Sequence, residues 1–150
     1  MVVNRQRRIS VPLKPLEEFA RRAHGALRFS EGAVTICLVS DIAIARLNRR
    51  YRGKIGPTDV LSFPSGARNG GQASRPSSRA DGGAADYIGD IAISPAAARR
   101  NARLYSRSLP DELRVLILHG MIHLAGYDHE TDHGEMDRLE RRMRKTLGLS

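Results

Sequence analysis

Ser108-Leu109-Pro110-Asp111-Glu112-Leu113-Arg114-Val115-Leu116-Ile117-Leu118-His119-Gly120-Met121-Ile122-His123-Leu124-Ala125-Gly126 is the stretch on which the reading of this chain turns. Ser108, with Asp111 three residues on, resembles a capping box. Leu109, Leu113, Leu116, Ile117, Met121 and Leu124 then follow the helical period, predicting a helix with a broad apolar face, central to the fold and largely buried. Gly126 predicts the end of that helix and a return of the chain.

His119 and His123 leave one face of this helix a turn apart, so their imidazoles can share one ion. The return at Gly126 allows His129, ten residues after His119, to add a third nitrogen. Two imidazoles in so apolar a helix would be costly to bury without partners, which favours a metal. Three neutral imidazoles favour zinc, or another late transition metal, over magnesium or calcium, with one ion per chain. A fourth position stays open for water, as in catalytic rather than structural sites, because Cys37 is a poor fourth ligand. Asp128 is placed to orient an imidazole. His133 lies in the polar run Glu130-Thr131-Asp132-His133 and reads as solvated, although as a fourth ligand it would close the site; His24 has no partner in sequence. The same histidine frame occurs in metzincin proteases, but their general-base glutamate is replaced here by Gly120, and Asp128 or Glu130 would have to substitute. Proteolysis therefore ranks low.

Outward from the helix, short elements alternate. Val2 to Val11 reads as containing an edge strand, and Pro15 starts a helix with Leu16, Phe19, Ala20 and Ala23 on one face, closed by His24 and Gly25. Ala33 to Ser40 reads as a strand buried on both faces. Ser40 or Asp41 caps a helix carrying Ile42, Ala45 and Leu47, which ends in the basic stretch Arg49, Arg50, Tyr51, Arg52. Gly53 and Pro57 mark a turn before the short strand of Val60, Leu61 and Phe63, ended by Pro64. Residues 65–86 are glycine, serine, alanine and arginine, and read as a flexible insertion rather than a domain boundary. Tyr87 to Ser94 resumes as a strand, Ser94-Pro95 opens a helix to about Tyr105, and a last amphipathic helix carries Met136, Leu139, Met143 and Leu147 and stops at Gly148. The 150 residues are expected to form a single domain.

Hydrophobic residues make up 41% and charged residues 27%, the balance of a globular chain and not of a disordered one. No stretch approaches membrane-spanning length, the arginines of residues 1–10 are not followed by an apolar run, and the single cysteine reads as a buried reduced thiol; a cytoplasmic protein is expected. The net charge of +9 favours a polyanionic partner; that only Lys14, Lys54 and Lys145 among 25 basic residues are lysines leaves arginine-rich codon usage as an alternative source of the count. With 5% aromatic residues and no tryptophan, backbone contacts suit such a partner better than base stacking. Arg49, Arg50, Arg99, Arg100 and Arg103 are the nominated phosphate contacts.

His119-Gly120-Met121-Ile122-His123-Leu124-Ala125-Gly126-Tyr127-Asp128-His129 closely resembles the signature of the YbeY family. The runs Leu47 to Arg52, Pro57 to Pro64 and Ile88 to Ile91 are similar to that family as well. The resemblance implies an α+β fold, a small mixed sheet packed against helices, with zinc held by His119, His123 and His129 on and beside the central helix. It implies a metal-dependent, single-strand-directed endoribonuclease that matures the 3′ end of small-subunit ribosomal RNA and serves ribosome quality control. The implied partners are ribosomal RNA and the small subunit, with ribosomal proteins or an assembly GTPase; neither DNA nor a membrane is expected. Arg52 matches the family's functional arginine and, with His119, is the expected catalytic residue. Two departures stand out: the insertion is long and glycine-rich, and Ile55 follows Lys54 where the family often has an acid. A non-catalytic, metal-braced ribosome-assembly factor is the alternative.

Overall fold

The computed structural model describes residues 1–29, 32–65, 87–128 and 132–149. Four strands, β1 (Val2–Asn4), β2 (Ala33–Leu38), β3 (Val60–Pro64) and β4 (Tyr87–Ile93), form one sheet in the order β1-β2-β4-β3. β2 runs parallel to β1 and β4, whereas β3 pairs antiparallel with β4, so the sheet is mixed and β1 and β3 are its edges. Five helices complete an α+β fold: α1 (Leu13–Ala26), α2 (Asp41–Arg52), α3 (Pro95–Leu104), α4 (Leu109–Leu124) and α5 (Glu135–Thr146).

The two faces of the sheet follow the alternation of the strands. Val34, Ile36, Leu38, Ile91 and Ile93 join Leu16, Phe19, Leu113, Ile117, Met121 and Met136 in the main core, while Cys37, Val39, Leu61, Phe63 and Ala92 pack with Ile44 of α2 on the other face. β2 is thus covered on both sides, as the run Ala33 to Ser40 predicts, with Thr35 the one buried polar side chain within the strand. The helix α4 is central, with Leu113, Ile117, Leu118, Met121 and Ile122 all but fully buried. At about 1.5–3 kcal/mol for each such side chain, this one helix supplies a large share of the hydrophobic stabilisation. The Ser108 hydroxyl accepts from the Asp111 amide at 3.2 Å, confirming the cap.

The remaining helices differ from expectation in detail. α1 begins at Leu13, not Pro15, because Pro15 sits in the first turn, where amides have no intrahelical acceptor and a missing N–H costs little. It runs through His24 and Gly25 to Ala26. In α2 the packing face is Ile44, Leu47, Asn48 and Tyr51, whereas Ile42 is 67% exposed. Asn48 fits there because its side-chain amide donates to the Gly56 carbonyl at 3.0 Å, tying the helix to the following loop. Of the expected insertion at 65–86, all but Ser65 lies outside the described residues. Its two roots meet where β3 ends and β4 begins, with the Ser65 amide donating to the Ile88 carbonyl at 3.0 Å. No described helix is long and apolar enough to cross a membrane.

Candidate metal centre

Two glycines seat the histidine-bearing part of α4 against the sheet. A Cβ at Gly120 would lie 2.9 Å from Ile91 Cγ2, and one at Gly89 would lie 2.8 Å from Leu124 Cδ2 and 2.6 Å from the Phe63 carbonyl oxygen. The Ser62 hydroxyl of β3 donates to the Gly120 carbonyl at 3.0 Å. Position 120 therefore faces the strands, and no side chain there could serve as a general base.

His119 and His123 come together as the spacing predicts, with ring centroids 4.8 Å apart at 77°. The Nδ1 of His119 is hydrogen-bonded to Glu140 Oε1 of α5 at 2.9 Å, and Glu140 Oε2 accepts from Arg144 at 2.7 Å. Burial alone would raise the Glu140 carboxyl, but these bonds and the charges behind them outweigh it and hold the group below its usual range. The helix then ends as Gly126 predicts. Gly126, at φ +104, donates to the His123 carbonyl at 2.9 Å, Tyr127 donates to that of Ile122, and the chain turns back after Leu124.

This geometry fits a nitrogen-bound metal. A carboxylate hydrogen-bonded to one ring nitrogen is the usual arrangement of a ligating imidazole. His129 and Glu130 lie outside the described residues, and among the described residues no three metal-binding side chains cluster. His133 is exposed, its amide donating to Glu135, and His24 meets the Gly32 carbonyl at 2.9 Å. Asp128 is exposed just beyond the turn.

Arg52 closes α2, which packs on the other face of the sheet. Ser94, after β4, donates to Asp41 at the start of α2, and Tyr51 at its far end packs edge-on against Phe63, centroids 5.1 Å apart. The last turn of α2, with the exposed Arg52, and the last turn of α4, with His123, thus reach the same end of the sheet, separated by the edge strand β3. On the α3–α5 side, His119, Glu140 and Arg144 also border a cavity of about 370 Å³ with Asp59, Asn101 and Arg107.

The family model described as Endoribonuclease YbeY matches residues 1–148. This chain belongs to the YbeY family. It is similar to the Endoribonuclease YbeY of Koribacter versatilis, 40% identical over 149 residues that cover 99% of this chain and 86% of that one. With the YbeY of Geobacter sulfurreducens identity is 32%, covering 99% and 93%. A Thermotoga maritima protein with a known solution structure shares the fold at a TM-score of 0.61 and 28% identity, covering 98% of this chain and 89% of that one. Ile55 is 91% exposed in the loop after α2.

Glu140 escaped the sequence reading. Its signal was a carboxylate among Met136, Leu139, Met143 and Leu147, on the core-facing side of an otherwise apolar helical face.

Proposed function

We propose that this member of the YbeY family is a zinc-dependent endoribonuclease of the cytoplasm, binding one zinc per chain through His119, His123 and His129 and acting on single-stranded ribosomal RNA. The observation that carries the metal reading is the pair His119 and His123 at 4.8 Å, with His119 anchored through Nδ1. The activity follows the name its relatives share, Endoribonuclease YbeY. Zinc held by these residues would supply Lewis acidity toward a phosphodiester and acidify a water at neutral pH. Arg52 presents a planar fork of donors suited to the charge that develops on phosphorus. Exposed arginines, among them Arg49, Arg50, Arg99 and Arg103, hold the flanking phosphates without reading sequence. Maturation of the 3′ end of small-subunit ribosomal RNA and ribosome quality control, with the small subunit, ribosomal proteins or an assembly GTPase as partners, complete the proposal. The inward-facing Gly120 argues against a metalloprotease.

The test is cleavage of a ribosomal RNA precursor by wild type, His119→Ala and Arg52→Ala, with metal content measured in each. Wild type is expected to carry about one zinc and cut, in keeping with an open three-histidine site. His119→Ala loses metal and cutting, and Arg52→Ala keeps metal but loses cutting. Equal cutting by all three points to contamination. Full zinc occupancy without cutting moves the assembly-factor reading ahead.

A further inference from the structure

A carboxylate on the inner side of an amphipathic helix needs a reason to be there, because burying it is costly unless it is paired. Glu140 is 14% exposed, with each oxygen committed: Oε2 to Arg144 one turn along the same helix, and Oε1 across the helix interface to His119. Arg144 alone would pair the charge. The bond to His119, 21 residues away in sequence, has a separate consequence. An ionised carboxylate is acceptor-only, so the Nδ1 it meets must carry a hydrogen, and a neutral ring is then the Nδ1–H tautomer with its lone pair on Nε2.

We propose that Glu140, itself held by Arg144, is the positioning residue of His119, fixing its tautomer and ring orientation so that Nε2 is presented as the ligating nitrogen. The ligand side of this inference rests on the metal reading above; the tautomer does not. Holding the ring in place before an ion arrives removes an ordering cost from binding, and outer carboxylates of this kind strengthen metal affinity about 10–100-fold.

The experiment uses metal-free protein with nitrogen-15 histidine, at about pH 8, where an ordinary imidazole is neutral. Long-range proton–nitrogen correlation spectra read the His119 tautomer in wild type, Glu140→Met and Glu140→Gln, and chelator competition reads the zinc affinity of each. Methionine fills the space without an acceptor, and glutamine restores one. Wild type is expected to show the Nδ1–H form. Glu140→Met should populate the Nε2–H form and bind zinc about 10–100-fold more weakly. Glu140→Gln should return the Nδ1–H form and much of the affinity. A packing role alone would not move the tautomer. An Nε2–H ring in wild type overturns the proposal whatever the variants do, and so does a Glu140→Met protein that keeps the Nδ1–H form and wild-type affinity. A wild type that shows the Nδ1–H form but binds no zinc upholds the tautomer assignment and refutes the metal reading.

Discussion

Gly120 lies flat on Ile91: a Cβ on the glycine would stand 2.9 Å from Ile91 Cγ2 and 3.0 Å from its Cδ1. Ile91 is fully buried in the central strand β4 and has no room to withdraw. Gly120→Ala should therefore destabilise the fold by about 1–2 kcal/mol, overpacking outweighing the roughly 1 kcal/mol that alanine contributes to helix propensity. Urea unfolding would show it as a lowered midpoint. In an Ile91→Ala background the same substitution should cost nothing, and a cost that persists there would mean the contact is not its source.

Asp41 ties α2 to α3, since it opens α2, accepts from the Ser94 cap of α3 at 2.7 Å and pairs with Arg100 of α3 at 2.9 Å. The Arg100 hydrogen bond holds its carboxyl below the ordinary value of 3.8, against a smaller opposing effect of burial. A lowered folded-state pKa contributes stability above the unfolded value that is lost as pH falls through the folded one. Asp41→Asn should accordingly be less stable than wild type at neutral pH, and the two stability curves should converge as pH falls below 3.8. Parallel curves down to the acid limit would contradict this assignment.

At the alkaline end, burial pushes the Cys37 thiol up from 9.0 to about 11, with Asp90 adding to the effect and Arg5 opposing it. A raised pKa contributes stability that is whole below the unfolded value and lost as pH rises through the folded one. Wild type should lose about 3 kcal/mol through this group between those limits, at roughly 1.4 kcal/mol per pH unit. Cys37→Ala lacks this loss, so the stability gap between the two proteins should narrow above pH 9.0. In the folded protein at neutral pH, a thiol reagent should label Cys37 far more slowly than in denaturant.

Charge predicts a steep salt dependence of RNA binding, with a slope set by the number of phosphates neutralised. Arg103 and Arg100 should separate. Arg100 is engaged by Asp41 through two nitrogens at 2.9 and 3.3 Å. Arg103→Ala should reduce the salt slope by about one contact without affecting stability, whereas Arg100→Ala should change stability more than binding. Filter binding across a salt series, alongside thermal melts, would reverse this order only if the Asp41 pair is dispensable.

Much of this molecule follows from local chemistry alone. Capping serines at 94 and 108, the 3.6-residue period of α4, the alternation of the strands and the glycine at 126 each act within a few residues, so the elements and the meeting of His119 with His123 were legible in the sequence. The resemblance carried by those same histidines identified the family. Where local pattern and packing diverge, the cause is visible: the inner face of α2 includes Asn48 and Tyr51, so counting apolar residues pointed to Ile42, which faces solvent. Only the tertiary structure decided that Gly120 must be small because Ile91 lies beneath it, that Arg52 and His123 reach one end of the sheet from opposite faces, and that Glu140 of α5 meets His119 of α4. Those relationships depend on how rigid elements far apart in the chain are placed against one another, and that placement is set by burying all their apolar faces at once, which no local propensity encodes.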